Sequence, residues 1–204
     1  MSQAPILLEK FSLPALKFEP VRATSSDATM VWLHGVGERG TDISLVAKYG
    51  LPAALVAGRI QAPCAVICPQ LPLGEEWGCE RVLQCLEDAH AGSGPLVVMG
   101  YSLGGTGILE SVAKTGPLCS LHVAIAGQCR VPVGAAQDGL RFLAIQGEFD
   151  VQPGVADFVI ETRKRGGFAE DVIVKGGNHY ISESALWQPE LAAALSSLGV
   201  NLHG

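Results

Sequence analysis

The chain has 204 residues, of which 48% are hydrophobic and 17% are charged, and its formal net charge is −6. So few charged residues exclude an intrinsically disordered chain, and the length favours one globular domain that spans residues 1–204. The acidic balance and the lack of a basic patch predict that the protein binds neither nucleic acid nor an anionic membrane surface.

The N-terminal segment and the cysteines predict where the protein works. The first residues lack the positive charge and the apolar run of a secretory signal, and no run of about 18 apolar residues could span a membrane. A cytoplasmic location is therefore expected, in which the six cysteines stay reduced. The cysteine and histidine spacing does not match a zinc site, so no metal is expected.

Short apolar runs alternate with amphipathic segments along the chain. A weakly alternating segment at 16–21 is consistent with an edge strand. Runs typical of strands buried on both faces occupy residues 30–33, 65–68, 96–99, 122–125, 142–145 and 172–174. Helical patterns occupy residues 79–89, 103–114 and 184–198. This alternation predicts an α/β fold with a mostly parallel central sheet and helices on both faces.

The candidate nucleophile follows the run at 96–99. Residues 100–104 read G-Y-S-L-G and lead directly into a helical segment, which is the setting that the G-x-S-x-G motif requires. Glycines on both sides of Ser102 let the strand and the helix approach each other closely around a sharp turn. The alternative is a glycine-rich turn with an incidental serine.

A carboxylate and a histidine follow two later apolar runs. Asp150 ends the segment G-E-F-D, and His179 ends the segment G-G-N-H. Active sites of such sheets form at the carboxyl ends of the strands, so Ser102, Asp150 and His179 are expected to meet there. The chain order Ser…Asp…His is that of α/β-hydrolases. Glu148 is closer to its strand and is the alternative acid.

The loop after the first buried run reads L-H-G-V-G-E-R-G over residues 33–40. A His-Gly-x-Gly loop at this place supplies one backbone N–H of an oxyanion hole, and the residue after the nucleophile supplies the other. These donors are assigned to Val36 and Leu103, with Gly37 as the alternative to Val36. His34 is then expected to hold the loop in place.

From residue 29 to residue 198 the chain resembles serine hydrolases of the α/β-hydrolase superfamily. The loop at 33–42 and the segment C-P-Q at 68–70, with Trp77 shortly after, are similar to those of small carboxylesterases/thioesterases and polyhydroxybutyrate-depolymerase-like esterases. The resemblance implies an α/β-hydrolase fold, a Ser-His-Asp mechanism without a cofactor, and an acyl pocket near Trp77. A core position or a surface position is the alternative for Trp77.

Many members of this superfamily insert a helical cap after the sixth strand of the core. Here about a dozen residues separate Gly127 from Leu140, an ordinary loop length, so no cap domain is expected and the site is expected to be open.

The expected function is hydrolysis of small carboxylic esters with short acyl groups. A thioesterase or a small peptidase would use the same residues, and a non-catalytic binding module is a further alternative. The sequence does not predict an oligomeric state.

Overall fold

Eight strands form one sheet in the computed structural model, which describes residues 2–21, 27–90, 92–130, 138–150, 152 and 154–203. The strands are β1 (Ile6–Leu8), β2 (Ala15–Phe18), β3 (Thr29–Leu33), β4 (Ala65–Pro69), β5 (Leu96–Tyr101), β6 (Leu121–Ile125), β7 (Arg141–Gly147) and β8 (Phe168–Val174). Their order across the sheet is β1-β2-β4-β3-β5-β6-β7-β8. The first two pairs are antiparallel, and every pair from β4 onward is parallel.

The helices cover both faces of this sheet. They are α1 (Gly50–Val56), α2 (Cys79–Ala89), α3 (Leu103–Thr115), α4 (Val155–Lys164) and α5 (Pro189–Ser196). Successive residues of a strand point to opposite faces, so each face collects its own core. Trp32 lies in one buried cluster with Leu51 of α1 and Leu191 of α5. Val31 lies in the other cluster, with residues of α2, α3 and α4. The predicted arrangement, a mostly parallel central sheet with helices on both faces, is confirmed.

The predicted strands from residue 30 onward correspond to β3–β8, and the remaining differences have physical causes. The segment expected as an edge strand forms β2, which lies between β4 and the short, mostly exposed β1. The C-terminal helical pattern divides into a 3₁₀ turn, Ser184–Trp187, and α5. Pro189 marks the division because it lacks an N–H and is favoured at the first position of a helix.

The parallel strands bring the candidate residues to one edge. Tyr101 at the end of β5 pairs with Ile125 of β6, and Gly147 at the end of β7 pairs with Val174 of β8. Ser102, Asp150 and His179 therefore all follow strands that end at the carboxyl edge of the sheet.

The region between β6 and β7 bears on the predicted absence of a cap. It covers residues 126–140, and its central part, 131–137, lies outside the described residues. The absence of a cap and the single-domain organisation therefore remain predictions.

In the described part of the chain, no helix has the length and apolarity needed to cross a bilayer.

Candidate active site

Ser102 occupies a strained turn between β5 and α3. Its φ is 53° and its ψ is −111°, a backbone conformation that non-glycine residues rarely adopt. The turn is tight: a Cβ added to Gly100 would lie 2.6 Å from Gly104 C, and one added to Gly104 would lie 2.0 Å from Leu33 O. The Ser102 N–H donates to Ile125 O at 2.8 Å, which ties the turn to the neighbouring strand. Glycine on both sides of Ser102 is thus a steric requirement.

The structure brings Ser102, His179 and Asp150 into one hydrogen-bonded chain. Ser102 Oγ lies 2.9 Å from His179 Nε2, and His179 Nδ1 lies 2.7 Å from Asp150 Oδ2. With Nδ1 directed at the carboxylate, Nε2 is the ring nitrogen that faces the serine hydroxyl. Gln152 Nε2 donates to Asp150 Oδ1 at 2.8 Å and fixes the orientation of the carboxylate.

Asp150 and Glu148 have different contacts in the turn after β7. The Asp150 N–H donates to Gly147 O at 2.9 Å, which closes the turn and directs the Asp150 carboxylate to His179. Glu148 Oε2 instead accepts the N–H of Gly176 at 2.7 Å. Glu148 therefore holds the loop after β8, and it is Asp150 that contacts the histidine.

Tyr101 is a part of the site that the motif did not reveal, because its position in G-x-S-x-G accepts any residue. Its O–H donates to the His179 carbonyl at 3.1 Å, and the two rings lie 5.7 Å apart. Burial raises the pKa of Tyr101 to about 12, so the phenol keeps its proton and remains a donor. Tyr101 thus holds the backbone of the histidine that Ser102 contacts.

The predicted oxyanion donors lie on the 3₁₀ turn Val36–Glu38 and at the first residue of α3. Among the described residues, the N–H groups of Val36, Gly37 and Leu103 have no hydrogen-bond acceptor. The first N–H groups of a helix lack an acceptor within the helix, which explains Leu103. Val36 and Gly37 both remain available, so the choice between them stays open.

His34 holds this loop from inside the core. The Leu71 N–H donates to His34 Nε2 at 3.0 Å, so Nδ1 carries the proton and donates to Gly35 O at 2.7 Å. Burial lowers the pKa of His34 to about 4, which keeps the ring neutral. These contacts agree with the structural role predicted for His34.

Trp77 lies beneath the same loop, in the core of the protein. Trp77 is 1% exposed, and its indole N–H donates to His34 O at 2.9 Å. A Cβ added to Gly107 of α3 would lie 2.3 Å from Trp77 Cβ, so the tryptophan packs directly on that helix. Of the alternatives for Trp77, the core position is the one that the structure shows.

Exposed apolar side chains follow several of the strands that end at this edge. Val36 after β3 is 55% exposed, Phe149 after β7 is 76% exposed, and Tyr180 after β8 is 83% exposed. The Tyr180 ring lies 6.0 Å from the ring of His179. Apolar contacts for a substrate are therefore available from these loops rather than from Trp77.

The structure of this chain is similar to solved structures of hydrolases. A thermostable esterase has a TM-score of 0.67 at 18% identity, over 96% of this chain and 63% of that chain. Esterase PE8 has a TM-score of 0.61 at 17% identity, over 97% of this chain and 100% of the other. An acylaminoacyl peptidase from Pyrococcus horikoshii has a TM-score of 0.63 at 13% identity, over 89% of this chain and 38% of its own.

At these identities the likeness establishes the fold alone. The chain has the α/β-hydrolase fold, as the resemblance of its motifs implied. It spans less than two thirds of the thermostable esterase and a smaller part of the peptidase. No protein-family model and no curated protein matches the sequence.

Proposed function

We propose that this chain is a serine esterase that hydrolyses carboxylic esters through an acyl-enzyme on Ser102. The observation that supports it is the hydrogen-bonded chain from Ser102 Oγ through the His179 imidazole to the Asp150 carboxylate, with distances of 2.9 and 2.7 Å. A histidine oriented by a carboxylate can remove the proton of a serine hydroxyl and so activate a weak nucleophile.

The reaction follows from this arrangement in two stages. His179 Nε2 accepts the Ser102 proton while Oγ attacks the ester carbonyl, and Asp150 stabilises the imidazolium that forms. The same imidazolium protonates the departing alcohol, which leaves the acyl group bonded to Ser102. A water molecule then attacks the acyl carbon by the reverse proton transfers, releasing the carboxylic acid and the free serine. No cofactor enters either stage.

The tetrahedral intermediates carry a negative oxygen, which needs fixed donors. The Leu103 N–H at the start of α3 and the Val36 N–H of the loop are the donors in this proposal, with Gly37 as the alternative to Val36. The N-terminus of a helix adds a favourable dipole at this position. Each such donor lowers the barrier by roughly 3–4 kcal/mol in a well-studied protease.

The proposed substrates are small esters with short acyl groups. Val36, Phe149 and Tyr180 are exposed side chains that offer contact to a few carbons but do not enclose a long chain. Thioesters and peptide bonds react by the same steps, so they form the comparison classes of the assay.

The test combines turnover with covalent labelling. We expect the wild-type protein to hydrolyse nitrophenyl acetate faster than a thioester or a peptide, and a fluorophosphonate probe to label the peptide that contains Ser102. Ser102→Ala should abolish both signals, whereas Ser93→Ala, a matched change at an exposed serine, should retain both. Labelling that persists in Ser102→Ala would contradict the assignment of the nucleophile.

A further inference from the structure

We propose that the buried Glu38 side chain is a positioning residue, which closes the oxyanion loop, defined here as residues 35–38, into its donor conformation. The inference rests on the esterase function proposed above. Glu38 carries out none of the chemical steps proposed above. Its carboxyl group nevertheless contacts the backbone on which one oxyanion donor lies.

Gly35 and Glu38 exchange two hydrogen bonds that close the loop on itself. The Gly35 N–H donates to Glu38 Oε2 at 2.9 Å, and the Glu38 N–H donates to Gly35 O at 3.3 Å. Both backbone groups of Gly35 are thereby occupied, since its carbonyl also accepts from the ring of His34. The N–H groups of Val36 and Gly37, which lie between the two ends, are left available for an oxyanion.

Other contacts support the outer part of this loop but do not replace the Glu38 side chain. Gln70 Nε2 donates to Glu38 O at 2.9 Å and to Asp42 O at 2.7 Å. Arg39 Nε donates to Val36 O at 3.2 Å. Each of these bonds reaches a carbonyl, so among the described residues only the Glu38 carboxyl accepts the Gly35 N–H. An apolar residue at 38 would leave that buried N–H unpaired, which is unfavourable.

The environment of the carboxyl group favours its neutral form near pH 7. Glu38 is 1% exposed, and its Oε1 is buried with no hydrogen-bond partner in the described part of the chain. Burial raises the pKa of Glu38 to about 8, although the hydrogen bond from the Gly35 N–H and, to a smaller extent, the positive charge of Lys48 oppose this shift. Tyr101 and Cys68 also interact with Glu38, and both keep their protons at this pH because burial raises their pKa values.

Ionisation of Glu38 should therefore affect the reaction directly. A carboxylate beneath the loop would place a negative charge in a low-dielectric region near the oxygen that becomes negative in the transition state. We expect kcat/KM for ester hydrolysis to decline on the alkaline side, with an apparent pKa of about 8.

Glu38→Gln separates the charge from the hydrogen bond. The amide keeps an oxygen acceptor for the Gly35 N–H and cannot ionise, so it imitates the neutral acid. We expect Glu38→Gln to retain wild-type kcat at pH 7 within about threefold, and to lose the alkaline decline of kcat/KM, since one ionisable group has been removed. Glu87→Gln, the same change at an exposed position of α2, should retain the wild-type pH profile. A decline that persists in Glu38→Gln would overturn the inference.

Glu38→Ala removes the acceptor itself. We expect kcat to fall by about 10- to 100-fold with little change in KM, which is less than the 10²- to 10³-fold loss on deleting an oxyanion donor outright. If Glu38→Ala folds and retains full kcat, the carboxyl group does not position the loop. If it does not fold, the pH profile of Glu38→Gln alone decides.

A second readout does not depend on ester turnover. In hydrogen exchange followed by mass spectrometry, a peptide covering residues 35–38 should exchange faster in Glu38→Ala than in the wild type, but not in Glu38→Gln. If the wild type hydrolyses no ester, the proposed function fails while this measurement still tests the loop. If exchange in Glu38→Ala equals that of the wild type, the inference fails whatever the activity.

Discussion

The Tyr101 hydroxyl donates a hydrogen bond to the carbonyl of His179 at 3.1 Å, so the residue before the candidate nucleophile holds the backbone of the candidate base. Tyr101 is the last residue of β5 and His179 lies in the loop after β8, and these two strands are separated in the sheet by β6 and β7. This bond therefore links two ends of the site that the sheet itself does not join directly.

Removal of this bond should have a moderate effect. Tyr101→Phe keeps the ring contact with His179 and deletes one neutral hydrogen bond, which contributes about 1 kcal/mol to stability. We expect the free energy of unfolding in urea to fall by about that amount and kcat to fall less than about tenfold, because the side-chain hydrogen bonds of His179 remain. A loss of kcat as large as that of Ser102→Ala would show that Tyr101 takes part in the chemistry.

The assignment of the acid gives a sharper contrast. Asp150→Asn should lower kcat by up to about 10⁴-fold, because the amide can stabilise the wrong tautomer of His179 and cannot stabilise its charged form. Glu148→Gln retains an acceptor for the Gly176 N–H and should change kcat by less than about threefold, because Glu148 is exposed and does not contact His179. Steady-state kinetics of the two variants check this expectation. The reverse order of effects would make Glu148 the acid.

The nucleophile turn could be predicted from the sequence because its geometry imposes local requirements. Gly100 and Gly104 are needed where a Cβ would meet backbone, and this need produces a recognisable spacing around Ser102. Asp150 and His179 were predictable for a related reason, since each follows a buried run whose apolar character marks it as a strand. Chain order and strand ends together predicted which residues meet.

The roles of Glu38, Tyr101 and Trp77 depend on contacts between distant segments, which a local pattern does not encode. A glutamate in a polar loop is normally a surface residue, and nothing in residues 33–40 indicates that position 38 is 1% exposed. Trp77 follows a segment near the expected pocket, yet its contacts with His34 and with α3 hold it in the core. The short helix α1 and the short edge strand β1 have no counterpart among the predicted elements, and α4 is indicated only by a helical pattern around Asp157.

Two buried histidines should make the fold sensitive to acid. His34 and His122 are both fully buried, and burial lowers the pKa of each to about 4. In the unfolded chain each pKa returns to about 6.5, so the unfolded state binds more protons between these values. Stability is therefore highest above pH 6.5 with respect to these groups, and it is lost as the pH falls toward 4, by about 3 kcal/mol for each histidine.

Glu38 changes the folding stability with pH in the opposite direction, so its contribution must be separated from that of the two histidines. Its pKa is raised from 4.5 to about 8, so the folded state binds more protons in that window and gains stability as the pH falls. Because His122→Gln removes one buried histidine but keeps Glu38, we expect this variant to lose less stability than the wild type between pH 7 and pH 5, measured by urea unfolding. His90→Gln, at an exposed position, should unfold with the wild-type pH dependence. Identical pH dependence in all three proteins would rule out His122 as a source of the acid sensitivity.

The exposure of the apolar side chains of Val36, Phe149 and Tyr180 leads to an expectation about acyl length. Binding of a long acyl chain requires walls that remove each CH₂ from water, a contribution of about 0.8 kcal/mol per buried CH₂. Trp77 cannot provide such a wall because it is 1% exposed, whereas Phe149 and Tyr180 are 76% and 83% exposed and can cover only the first carbons. We expect kcat/KM for nitrophenyl esters to be greatest for acyl groups of roughly two to six carbons and to gain nothing from longer chains.

Substitutions of two exposed aromatic residues, Tyr180 and Trp187, test the origin of this preference. Tyr180→Ala should raise KM for the butyrate ester more than for the acetate ester, since the longer acyl group loses more apolar contact. Trp187→Ala, a change at an aromatic residue that stacks on His203, should leave both KM values unchanged.

The rate should also rise smoothly when the substrate passes from monomers to micelles, because interfacial activation requires a lid that opens. A steady increase in kcat/KM up to the palmitate ester, or a jump in rate at the micellar threshold, would mean that the chain builds an enclosed acyl channel over Ser102.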